Sequence, residues 1–171
     1  MTIDEDRLFN GAPDRFDWKL VGKQEIYIPD NGYRLQGKEV RYDQLLQPNH
    51  PDPQFLRYEL RRVWVLEATV KAGARHLYGK RRLYLDEDTW HAVMADNYDS
   101  RGVLWKHAIL NYYYHPDISA WMSGTSFFHD LNSGGYIGYT LANERERATI
   151  LNKGDMDPSQ FTPDRLRAMG R

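Results

Sequence analysis

In "RYELRRVWVLEATVK", residues 57–71, apolar side chains recur at every second position. Tyr58, Leu60, Trp64, Leu66, Ala68 and Val70 fall on one side of an extended chain, with Arg62 the exception in that row. Arg57, Glu59, Arg61, Glu67, Thr69 and Lys71 fall on the other, interrupted by Val63 and Val65. A period of two cannot keep one face of a helix apolar, so the stretch is predicted to be a long strand that buries its Tyr58–Leu60–Trp64–Leu66 side.

The chain repeats this theme. "AGA" turns it, and "RHLYGKRRLYL" opens a second strand, with Leu77, Leu83 and Leu85 opposed to Tyr78 and Tyr84. "DEDT" breaks the pattern, "WHAVMADNY" resumes it, "DSRG" breaks it again and "VLWKHAILNYYYH" resumes it. "GTSFFHDL" and "GYIGYTL" are joined by "NSGG", a strong hairpin signal. At least six consecutive strands linked by short turns, without crossover helices, predict a mainly β fold: a curved antiparallel meander with short helices.

Residues 57–141 carry this meander. Residues 1–56 read as an irregular approach holding one strand, "KQEIYIP", then turn and loop in "DNGYRLQG" and a helical turn in "YDQLLQ". "PNHPDPQ" must be irregular, and the whole approach has the character of a docking edge. Residues 142–171 form a tail. In "FTPDRLRAMGR", Thr162 suits an N-cap, Pro163 the first helical position, Asp164 the first turn and Gly170 the stop. That short C-terminal helix is expected to turn Leu166 and Met169 toward the body.

At 171 residues the chain is the size of one domain with a real core. A net charge of -1 draws neither nucleic acid nor an anionic membrane, and no apolar run is long enough to span a bilayer. With no Cys, thiol catalysis and thiolate metal sites are excluded. "MTIDEDRLFNGAPDRFDWK" has no basic start followed by an apolar stretch, so no secretory signal is visible; the chain either stays where it is made or comes from a longer precursor.

Chemistry is sparse. "RRLYLDEDTWHAVMADNYDSRGVLWK" gathers Asp86, Glu87, Asp88, Asp96 and Asp99, but without the ligand spacing or glycine of a calcium loop. These carboxylates read as punctuation between strands. The histidines show no HxxxH or HxH spacing, and His107 and His115, though of one parity, are too far apart to share an ion without a third strand. Ser123 and Ser126 in "MSGTS" lack the strand–turn–helix setting of a nucleophile, and "SGG" and "LNKGD" lack that of a phosphate loop. No catalytic residue, metal ligand or cofactor is therefore assigned, and an enzyme is not expected.

Aromatics are the stronger lead: they make up 13% of the chain and cluster in the strands. A curved sheet with few helices to cover it would leave an apolar concave face for a hydrophobic, lipid-like ligand or a partner chain. The residues expected on that face are Tyr58, Leu60, Arg62, Trp64, Leu66, Tyr84, Trp90, Met94, Trp105, Tyr112 and Tyr114, with Arg62 either an anchor for an acidic headgroup or a side chain that snorkels to the rim. Two functions compete: a non-enzymatic carrier or accessory protein, and an interaction module that docks a transporter subunit or a second copy.

"DWKLVGKQEIYIPDNGYRL", "RYELRRVWVLEATVKAGARHLYGKRRLYLDEDTW", "DSRGVLWK" and "FTPDRLRAMGR" together resemble the C-terminal part of the proteins called domain of unknown function 1329, from about Phe16 to Arg171. That family is outer-membrane lipoprotein-sorting-like, akin to the LolA and LolB carriers. The resemblance implies an incomplete antiparallel β-barrel lidded by helices, and a periplasmic protein associated with efflux or export machinery. It implies no catalytic residues. Members are longer, with a signal peptide and further strands, so the chain is expected to be the C-terminal portion of such an architecture, its open edges paired, as in a homodimer.

Overall fold

The computed structural model describes residues 1–146, 151, 154 and 157–170. Its frame is one sheet of seven strands in the order β1 (Phe16–Pro29), β4 (Tyr58–Val70), β5 (Lys80–Asp86), β6 (Ala92–Tyr98), β7 (Leu104–His115), β8 (Ala120–Asp130) and β9 (Tyr136–Tyr139). Every neighbouring pair is antiparallel, and the sheet does not close on itself. The six strands from "RYELRRVWV" onward form the expected meander. "KQEIYIP" is the end of a 14-residue strand, β1, that pairs along all of β4 and forms one edge.

The sheet curls. β1 approaches β6 and β7 across one face, where Ile28, Val63, Val65, Val93, Met94 and Ile109 form a buried cluster. That is the concave side. Residues 30–56 follow β1 and carry a helical turn α1 (Tyr42–Leu45) and a small hairpin, β2 (Leu46–Gln47) with β3 (His50–Pro51). They lay Leu35, Val40 and Leu45 onto Phe127 of β8 and so cover that part of the sheet.

The convex side has a lid of its own. A 3-10 segment, Ile3–Leu8, packs Leu8 and Phe9 on Leu83, Ala95, Ala108, Leu110 and Phe128. Beneath it Arg81 is fully buried and donates from Nη2 to the carbonyls of Leu8 (2.6 Å) and Asp4 (3.0 Å), and from Nε to Asn97 Oδ1 (2.8 Å). Burial pushes the Arg81 pKa down, and the nearby Tyr78 and Glu5 partly offset this.

Two expectations are corrected. In β4 the buried residues are Val63, Val65 and, from the expected row, only Ala68; Leu60 is 56% exposed, Tyr58 and Arg62 are exposed, and Trp64 and Leu66 are half-buried. Small β-branched side chains fit the tight inner curve, and the large ones are left on the wider outer one. The C-terminal helix α2 (Pro163–Met169) forms with its Thr162 cap, but Leu166 and Met169 are 72% and 70% exposed and face solvent.

Candidate functional site

β1 is where the architecture is unfinished. It pairs with β4 on one side, and no described residue pairs with its other. A bulge at Val21 shifts the register between Leu20 and Gly22, and Gly22 takes φ 128°, which a side chain would resist. Trp18, Leu20, Val21 and Tyr27 are exposed along this strand.

Across the convex side the pairing sets Leu20 beside Leu66, Lys23 beside Trp64, Tyr27 beside Leu60 and Pro29 beside Tyr58. The stripe continues to Trp90, which is 65% exposed and stacks on Trp64 at 6.4 Å and 19°. Trp90 sits at φ 59°, the left-handed region that a bulky residue avoids at a cost of about 1–2 kcal/mol. The turn holds it there: Trp90 N–H donates to the Asp86 carbonyl, and Asp86 Oδ2 accepts from Thr89 N–H and hydroxyl. Lys23 Nζ lies 4.7 Å over the Trp64 ring and 2.7 Å from Glu87, which also pairs with Arg62. Hydrogen bonding to Lys23 is the main force holding the Glu87 carboxyl below its ordinary range. The stripe is thus apolar at both ends and ionic in the middle.

The eleven residues expected on one concave face are dispersed. Tyr58, Leu60, Arg62, Trp64, Leu66 and Trp90 belong to the convex stripe or its margin. Trp105 packs on Tyr78 (5.7 Å) and donates to Asp130 (3.2 Å). Tyr112 stacks on His91 at 4.2 Å, and Tyr114 packs edge-on against Trp121. Tyr84 and Met94 pair across the concave face in register, and Tyr112 also packs against its buried cluster.

The concave face has a polar end that sequence reasoning missed. In register across all seven strands stand Lys19, Glu67, Arg82, Asp96, His107, His129 and Tyr136. Arg82 Nη2 donates to Glu67 at 2.9 Å. Asp96 accepts from Tyr84 Oη and from His107 Nδ1, both at 2.7 Å. Burial alone would raise the Asp96 carboxyl, but the hydrogen bonds from His107 and Tyr84 bring it below its usual range. Burial and the Asp96 bond push the Tyr84 hydroxyl well up. His129 stacks on Tyr136 at 5.5 Å and 19°; burial, then repulsion from His107, lowers its pKa. Equal parity in successive strands is legible in a sequence; which strand opposes which residue needs the turns and bulges as well.

The five carboxylates divide accordingly. Asp86 and Asp99 are turn residues, Asp99 accepting from Arg101 and Val103 N–H groups, and Glu87 and Asp88 lie in the turn after β5. Asp96 is the exception, a mid-strand residue of β6 that joins Tyr84 to His107. Ser123 and Ser126 line a cavity of about 100 Å³ with Asp6 and Arg7, where Ser123 accepts from Arg7. Asn152, Lys153 and Asp155 of "LNKGD" lie outside the described residues. Among the described residues no group of three or more His, Asp or Glu is arranged around a metal ion, and no helix is long and apolar enough to cross a membrane.

A family described as a protein of unknown function, DUF1329, matches residues 1–167. The uncharacterized protein PA3922 of Pseudomonas aeruginosa is 43% identical over 171 residues, covering 99% of this chain and 37% of its own length. A DUF1329 family protein of Desulfovibrio piger is similar in structure, with a TM-score of 0.49 and 17% identity over 78% of this chain and 42% of that one. A protein of Vibrio parahaemolyticus described as an outer membrane lipoprotein-sorting protein domain gives 0.46 and 16%, over 80% of this chain and 48% of that one. The chain spans less than half the length of each.

Proposed function

The chain belongs to the DUF1329 family, and from that premise we propose that it is a non-enzymatic, carrier-type half-barrel of the periplasm, docked through β1 and its convex stripe onto a further protein surface. The observation that carries this reading is the 14-residue edge strand with no partner on its outer side among the described residues, flanked by exposed Trp18, Leu20 and Tyr27. A long edge presents a row of free N–H and C=O groups, and an exposed apolar edge is one that proteins otherwise blunt or cover. Trp90, held strained above Trp64 and open to solvent, adds an aromatic anchor of the kind that dominates protein interfaces. The periplasmic setting rests on the resemblance to lipoprotein-sorting proteins.

The occupant we assign is the remaining part of a longer family member such as the 43%-identical relative. Hydrogen exchange tests it. The outward amides of β1 should exchange fast in residues 1–171 alone and be protected in the full-length relative. Equal, fast exchange in both chains would overturn the reading.

A lipid-like ligand is the second reading, favoured by the Trp64–Trp90 stack beside Lys23 and Arg62, where rings and cations could hold an acidic amphiphile. The apolar part of the concave face is occupied by the chain's own Ile28, Leu35 and Leu45, so such a ligand belongs on the stripe. A fluorescent fatty acid that binds wild type and is lost from Trp64→Ser would support it; equal uptake by both would not.

A further inference from the structure

We propose that His107 and His129 together bind a divalent transition-metal ion of the zinc class at the polar end of the concave face. β7 and β8 set these two residues directly opposite each other, with ring centres 6.4 Å apart. A metal–nitrogen bond of about 2 Å places two imidazoles on one ion with centres about 5–6 Å apart, so a small ring rotation brings both nitrogens onto it. The second shell is already built. His107 gives its Nδ1–H to Asp96, leaving Nε2 as the free lone pair, and Asp96 is fixed from its other oxygen by Tyr84. A carboxylate on the far nitrogen is the arrangement that orients metal-bound histidines and raises their basicity.

His129 supplies the second nitrogen. Its Nδ1 is buried and has no side-chain hydrogen-bond partner among the described residues, and its ring is clamped on Tyr136. Tyr136 in turn donates to the Gln47 carbonyl at 3.0 Å, which ties the clamping ring to the β2–β3 hairpin. Two imidazoles with water complete the shell, so binding is weaker than in a closed four-ligand site. Imidazole nitrogen selects Zn²⁺, Cu²⁺ or Ni²⁺ over the oxygen-seeking Ca²⁺ and Mg²⁺. The site lies away from the β1 edge, so it stands or falls independently of the docking surface.

Calorimetric titration of ZnCl₂ into the 171-residue protein tests the site. One ion should bind per chain. His107→Gln and His129→Gln should each abolish binding, Asp96→Asn should weaken it about 10-fold or more, and His115→Gln should leave it unchanged. Absence of saturable binding to wild type, or full affinity in His129→Gln, overturns the proposal. Should a variant fail to fold, wild-type NMR decides: zinc must move the ring resonances of His107 and His129 first, and movement of His76 or His115 ahead of them overturns it.

Discussion

Arg81 is the largest fully buried side chain, and its three hydrogen bonds tie the amino-terminal segment to β5 and β6. A buried guanidinium is tolerable only with its donors satisfied, and here two carbonyls of the Ile3–Leu8 region do most of that. Arg81→Met would strip the Asp4 and Leu8 carbonyls of their donor, with an expected loss of about 3 kcal/mol, measured as a lower midpoint in urea. Arg81→Lys, keeping the charge but losing the fork, should fall between the two. A variant within about 0.5 kcal/mol of wild type would show the latch to be idle. None of this was legible beforehand, because "KRRLYL" offers two adjacent arginines and no local signal says which is buried. Asp96 taught the same lesson: within a run of turn carboxylates, only the cross-strand partner distinguishes a site residue from punctuation.

For the elements, existence and order were readable and orientation was not. Period two, short polar breaks and "NSGG" sufficed for the antiparallel meander because a sheet's side-chain period and its turn residues are local properties. Which face of β4 goes inward depends on the curl of the whole sheet. Bulk misled: the row with Leu60 and Trp64 looks greasier, yet Val63 and Val65 are fully buried. Val65→Ala should therefore cost about 2 kcal/mol, whereas Leu60→Ala, at a residue 56% exposed, should stay within about 0.5 kcal/mol. Paired urea denaturation decides, and a larger loss at Leu60 would reverse the assignment of faces. The tail helix α2 fails differently. Its cap and stop signals were right, but seven residues with two large apolar side chains cannot secure docking.

At the scale of the whole molecule, an open sheet has two faces to cover, and this chain covers them from opposite directions. Residues 30–56 fill the apolar part of the concave side, and residues 1–10 cover the convex one over β5 to β8, leaving the stripe beside β1 open. The second cover is the more consequential, because it hides polar groups as well as apolar ones: Arg81 and Lys106 lie beneath it, Lys106 3.4 Å from a buried Glu5. Removing residues 1–10 withdraws Leu8 from the core, worth about 2 kcal/mol, and leaves Arg81 without its carbonyls, about 3 kcal/mol more. In a chain of this length that corresponds to a fall in melting temperature of roughly 10 °C or more. Removing residues 157–171 takes away an exposed helix with no buried residue, and its expected effect is within about 2 °C. Scanning calorimetry on the two truncations should therefore rank them far apart. Equal melting temperatures would mean that the amino-terminal segment rests on the sheet without holding it, and the two-sided cover would have to be abandoned.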